Sequence, residues 1–227
     1  MTNWYLFGGY VSVSDRLKAA SPALWESAIS HPFINEMGEG SLDPEKFRRY
    51  FIQDYVFVND LVKVSGVAIA KAPDLDSARP IDAFLDNILD AEDAIFLRAF
   101  ERLGVPESEF RSAEPLPTTA ALGSFLVRLS YEGSFAEICC ALYVTEGVYL
   151  DWANRLRDRG AQPGVPHYQE WIDIHTDESL GPMVRFLDGV LEGTTAQEFP
   201  RLQQIFDLTT RYEIAFWHMA YEGESWP

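Results

Sequence analysis

The sequence predicts an all-α fold, and three observations carry that reading. Long stretches repeat apolar residues at steps of three and four, the spacing of one helix face. The breaks between those stretches hold Pro and Gly. Alternating strand patterns, hairpin turns between β-branched runs and internal repeats are all missing from the sequence. No low-complexity linker divides the 227 residues, so we expect a single helical bundle domain over 1–227. Its size suits about seven or eight helices.

Taken in order, residues 1–11 read as an irregular arm around Gly8–Gly9. A helix begins at Ser14, with Leu17, Leu24, Trp25 and Ile29 as apolar positions, and Pro22 splits or kinks it. His31–Gly40 reads as a loop. Asp43-Pro44-Glu45 is a helix start: Asp as N-cap, Pro in the first turn, an acid near the positive end of the dipole. That helix runs to Lys71. Pro80 restarts the chain into a helix carrying Phe84, Ile88, Ala91, Ile95 and Phe100, which ends at Gly104-Val105-Pro106. Residues 107–118 form a Pro-containing connection, and Thr118 or Thr119 caps the next helix. Gly133 separates that helix from one over Phe135–Arg159. Shorter helical pieces follow at His167–Thr176 and Leu180–Leu191, and Thr194 or Thr195 caps the last helix, Ala196–Tyr221.

Composition narrows the function. Hydrophobic residues make up 47% and aromatics 14%, enough for a sizeable core and an aromatic pocket. Lys and Arg number 18 against 35 Asp and Glu, a net charge of −17, which argues against nucleic acid or an anionic membrane as partner. The two cysteines, Cys139 and Cys140, are adjacent and form no disulfide framework. With no signal-peptide pattern and no long apolar run, the expected location is the cytoplasm.

Three helices each carry one acid on an otherwise apolar face. Asp54 lies in line with Phe47, Tyr50, Phe51, Val58 and Leu61. Glu146 lies with Cys139, Leu142, Tyr143, Tyr149, Leu150 and Ala153, and Glu213 with Phe206, Thr209, Phe216, Trp217 and Ala220. A carboxylate on such a face must be paired, neutralised or raised in pKa. If the faces meet, the three acids converge beside Phe57, Tyr149 and Phe216. Acids in an aromatic pocket can divide the roles of proton donor and acceptor on a flat, nitrogen-rich ring, or else pair internally with Arg or Tyr. A di-metal site would call for Glu-x-x-His spacing, which the chain lacks, and His218 falls off the face of Glu213, so no metal and no cofactor are expected.

Four blocks carry a family resemblance: WESAISHPFINEMGEGSLDPEKFRRYFIQDYVFV, ALYVTEGVYLDWANRL, YQEWIDIH and RYEIAFWHMAY. Together they resemble the TenA/thiaminase II family, in the family's order and over nearly the whole chain. The resemblance implies a haem-oxygenase-like fold and a homodimer or homotetramer. It implies that Asp54 binds a pyrimidine, that Glu213 transfers a proton to the leaving group, and that Phe216 and Tyr149 contact the ring. Thr145 stands where the cysteine subclass has its nucleophile, with Glu146 beside it. Phe57 and His175 replace tyrosines of the pattern. These departures resemble the subclass with Glu in place of Cys, which implies hydrolysis of amino- or formylaminomethyl-pyrimidine products of thiamine breakdown, a salvage reaction. A second register sets Cys139 four residues before Tyr143, the spacing of a thiaminase II nucleophile. A non-catalytic pyrimidine- or thiamine-binding regulatory module, and a di-metal or cofactor-dependent oxidative enzyme, are the other readings.

Overall fold

The computed structural model describes residues 11–227, and the predicted arm falls almost wholly outside them. Among the described residues every regular element is helical. In chain order these are α1 (Val13–Ala20), α2 (Pro22–Ile29), α3 (Pro32–Glu39), α4 (Pro44–Lys71) and α5 (Leu75–Asn87). A π-helical turn, Ile88–Glu92, joins α5 to α6 (Asp93–Leu103). Then come α7 (Glu107–Phe110), α8 (Pro117–Glu132), α9 (Phe135–Asp158), α10 (Pro166–Ile174), α11 (Gly181–Glu192) and α12 (Phe199–Glu222).

Local chemistry explains most boundaries. Asp43 caps α4 by accepting from the Glu45 amide at 2.9 Å, with Pro44 at the first position. Ser134 and Glu137 form a reciprocal capping box at the start of α9. Pro22 splits the first predicted helix into α1 and α2, so its ring opens a helix instead of breaking one.

Several expectations are corrected. The predicted loop His31–Gly40 is the helix α3: the His31 ring accepts from the Phe33 amide, Pro32 opens the helix and Gly40 closes it at φ 72°. Pro80 does not restart the chain but lies inside α5, which begins earlier because Asp74 caps it through the Ser77 amide. The connection 107–118 contains the short α7. Neither Thr118 nor Thr119 caps α8, whose preceding residue is Leu116. Thr194 and Thr195 likewise precede α12 without capping it; Thr195 instead binds the Glu198 carboxylate. These short helices raise the number of segments above the seven or eight expected.

The long helices α4, α8, α9 and α12 pack on one another, with α5 along α4 and α11 along α9. α9 is the central rod: Ile138 to Val148 are buried without interruption. Phe33, Tyr50, Trp217, Phe51 and Trp171 form a continuous aromatic core, with Phe33 and Tyr50 each 5.2 Å from Trp217 and Phe51 4.7 Å from Trp171. Such ring pairs add about 0.5–1.5 kcal/mol each beyond buried area. Trp171 of this core lines the polar site. No helix among the described residues is long and apolar enough to cross a membrane.

Candidate active site

One cavity, about 640 Å³ when its open mouth is counted, collects the predicted acids. α4 supplies Asp54, Phe57, Val58 and Leu61; α9 supplies Thr145, Glu146 and Tyr149; α12 supplies Glu213 and Phe216. Trp171 of α10 and His175 just beyond it close one side. Asp54 is 6% exposed, Glu146 8% and Glu213 3%, so the three carboxyls have left bulk water while still bordering the cavity.

Burial is the main electrostatic fact here. It pushes Asp54 up to about 7, against the opposing hydrogen bond of Tyr50. Burial pushes Glu146 up to about 8, with Thr145 opposing and Asp54 adding to the rise. Glu213 stands well above the usual carboxylate range, first through burial and then through Glu146 and Asp54. No Lys or Arg lines the cavity to offset these acids. The site therefore holds protons at neutral pH, and a cation entering it would release them.

The surrounding groups are held firmly. Tyr50 and Tyr149 share a hydroxyl–hydroxyl hydrogen bond of 2.8 Å, which fixes the Tyr149 ring at the cavity wall. Thr145 Oγ1 lies 3.0 Å from Glu146 Oε1 and 3.1 Å from the Leu142 carbonyl oxygen, pinning the Glu146 head. His175 Nδ1 lies 2.7 Å from the Trp171 carbonyl oxygen, and burial lowers its pKa to about 4. It is therefore neutral, with Nδ1–H donating to Trp171 and Nε2 left as an acceptor. Phe57 and Phe216 meet at a tilt of 59° with ring centroids 6.1 Å apart.

Cys139 and Tyr143 lie outside this group. Cys139 is fully buried, does not line the cavity, and burial lifts its thiol to about 12. Tyr143 turns instead to Trp25, stacked at 6.5 Å, and to Lys18. The shared face drawn from sequence for Cys139, Tyr143, Glu146 and Tyr149 is thus divided between two sides of α9, because α9 is surrounded. His218 points away from Glu213, with Nδ1 3.3 Å from His31 Nε2. Among the described residues no three His, Cys, Asp or Glu side chains are grouped to hold a metal.

Sequence reasoning missed one acid. Glu92, the last residue of the π turn, also lines the cavity. Burial, Asp54 and Glu146, in that order, raise its carboxyl well above the usual range. In the sequence it sits in LDAEDA, where flanking acids give the pattern of a solvated face.

The chain and its fold have relatives. The TENA/THI-4/PQQC family model matches residues 19–223. The chain is 27% identical over 220 residues to a protein from Halalkalibacterium halodurans named aminopyrimidine aminohydrolase, covering 95% of this chain and 98% of that one. Among solved structures, a TenA homologue from P. horikoshii superposes with a TM-score of 0.85 at 24% identity, covering 94% of this chain and all of that one. A protein from Shewanella denitrificans described as having a haem-oxygenase-like fold superposes at 0.68 and 17% identity, covering 91% of each chain, which identifies the architecture.

Proposed function

This chain belongs to the TENA/THI-4/PQQC family, and from that premise we propose that it hydrolyses amino- or formylaminomethyl-pyrimidines from thiamine breakdown to the hydroxymethyl pyrimidine. One observation carries the reading: Asp54, Glu146 and Glu213, from three separate helices, border one aromatic cavity that holds no cationic side chain. The name of the H. halodurans relative supports the same reaction class.

In this mechanism Asp54 accepts hydrogen bonds from the amino group and the protonated ring nitrogen of the pyrimidine. Tyr149, Phe57 and Phe216 shape and stack the ring, and the neutral His175 accepts from a ring substituent. Glu213, which burial keeps protonated, gives its proton to the departing nitrogen of the neutral formylamino group as the C–N bond breaks, whereas an aminomethyl group bound as the ammonium already carries that proton and needs only the base. Glu146 takes a proton from the water that forms the new C–O bond. For the aminomethyl substrate the products are the hydroxymethyl pyrimidine and ammonia. The two carboxyls divide these roles because they cannot both ionise cheaply in one dry cavity.

The packing of Tyr143 against Trp25, away from the cavity, and the raised thiol pKa of Cys139 favour Glu146 over Cys139 as the reacting group beside Tyr149. We expect a homodimer or homotetramer, checked by analytical ultracentrifugation. The activity is tested by turnover of both pyrimidines with purified protein. Glu213→Gln should lower kcat for the formylaminomethyl substrate by about 100-fold or more. A variant retaining the wild-type kcat removes Glu213 from the mechanism.

A further inference from the structure

The mechanism uses three acids, and the cavity holds four. The Glu92 side chain makes no hydrogen bond or ion pair with any described residue; its charged neighbours are the carboxyls of Asp54 and Glu146. Glu213, 97% enclosed, is equally without a hydrogen-bond partner and borders the same cavity. Two unpartnered carboxyls facing one cavity, Glu213 buried and Glu92 half-buried, with no Lys or Arg on its wall, leave the site short of positive charge.

The backbone explains why Glu92 faces inward. Asn87 and Glu92 both line the cavity, although they are five residues apart. On a regular α-helix at about 100° per residue, that step turns a side chain roughly 140° away. Between these two residues the chain widens into the π turn Ile88–Glu92, whose i→i+5 bonding brings positions five apart into line. The same widening returns α6 to its own packing, where Ile95 and Phe96 are buried. The turn thus aims Glu92 at the site without disturbing the helix that follows.

We propose that Glu92 is a specificity residue, which recognises the positive charge of a primary ammonium on the pyrimidine substituent and so selects the aminomethyl compound over neutral substituents of similar size. This rests on the aminopyrimidine reading and goes beyond it by naming which substituent is read and by which side chain. The ring's own amino group and nitrogen fall to Asp54, and the reacting bond to Glu146 and Glu213. The ammonium group needs a carboxylate that is not consumed in proton transfer, and Glu92 is the fourth acid in the cavity.

The test compares wild type with Glu92→Gln, which keeps the shape and removes the charge. First, kcat/KM is measured for the aminomethyl substrate, cationic at pH 7, and for the neutral formylaminomethyl substrate. The expected result is a fall of about tenfold or more in the ratio of the two, the usual scale for a hydrogen bond to a charged group. Second, binding is measured by calorimetry in a Glu146→Gln background, which lacks the base, comparing the aminomethyl and hydroxymethyl pyrimidines, which differ by an ammonium in place of a hydroxyl. There the preference for the ammonium should shrink by a similar factor. Glu92→Ala should repeat both changes, and its far-UV spectrum checks that the fold persists.

An active wild type with both ratios unchanged in the variants overturns the role of Glu92 and leaves the proposed activity standing. A wild type that turns over neither substrate defeats the activity. The calorimetric ratio then judges Glu92 alone: a reduced preference supports it and an unchanged one overturns it.

Discussion

Glu146→Gln should stabilise the protein while abolishing its activity, and the pH dependence of that gain can be worked out in advance. Burial raises the Glu146 pKa from 4.5 to about 8 in the folded chain. The folded state therefore keeps a proton that the unfolded state gives up once the pH passes 4.5. A group shifted upward contributes its stability below its unfolded pKa and loses that contribution as pH climbs toward the folded value. Each pH unit in this window costs the wild type about 1.4 kcal/mol. From pH 4.5 to 7 the cost reaches about 3 kcal/mol, and it levels near 5 kcal/mol above pH 8. Glutamine has no proton to lose and keeps the oxygen that lies beside Thr145 Oγ1. The variant should match wild type near pH 4 and exceed it by about 3 kcal/mol at pH 7, or roughly 6–12 °C in Tm for a chain of this size. Urea denaturation of both proteins at pH 4, 6, 7 and 8 measures this directly. A variant less stable than wild type at pH 8, or a difference that does not change with pH, refutes the claim that the Glu146 carboxyl is held dry and neutral.

Three further outcomes follow from other parts of the fold. If Glu146 acts as the base, kcat/KM should rise with pH along a limb lying between about 7 and 8, the values to which burial lifts Asp54 and Glu146; a flat profile from pH 5 to 8 removes the base. Cys139→Ala should keep kcat within about threefold of wild type, because the thiol is buried in the core and does not line the cavity, and cost about 1 kcal/mol of stability in a chemical denaturation curve; a loss of activity would restore the cysteine reading. Gly40→Ala should destabilise by about 2 kcal/mol or more in thermal melts, since φ is +72° there and a Cβ would lie 2.0 Å from the Pro163 carbonyl oxygen; an unchanged Tm would show that the turn can relax.

Much of this site was legible one helix at a time. A lone charge on an apolar stripe is visible at helical spacing, and Asp54 and Glu213 announce themselves that way. Glu146 was legible as a buried acid, but its neighbours were not, because α9 is covered on every side. A helix apolar all round has no preferred face, so sequence spacing cannot divide Tyr149 from Tyr143. Only packing did so, turning Tyr149 to the cavity and Tyr143 to Trp25. Glu92 was hidden for the opposite reason: its neighbours Asp90 and Asp93 gave the pattern of a wetted surface, and the bonding that turns it inward leaves no mark in residue spacing. Pro and Gly positions located most helix ends correctly. They failed at Pro80, where an earlier cap at Asp74 decided the start, and at His31–Gly40, where Pro32 opens and Gly40 closes a helix instead of marking a loop.

The sequence alone determined that the chain would be helical and that certain acids would be forced out of water, because side-chain spacing along a rod is a local property. The meeting of four carboxyls in one cavity was decided only by the tertiary structure. Which faces of separate rods oppose each other depends on how α4, α9 and α12 cross and on the extra width of one turn before α6, and contacts of that kind join residues far apart in the chain.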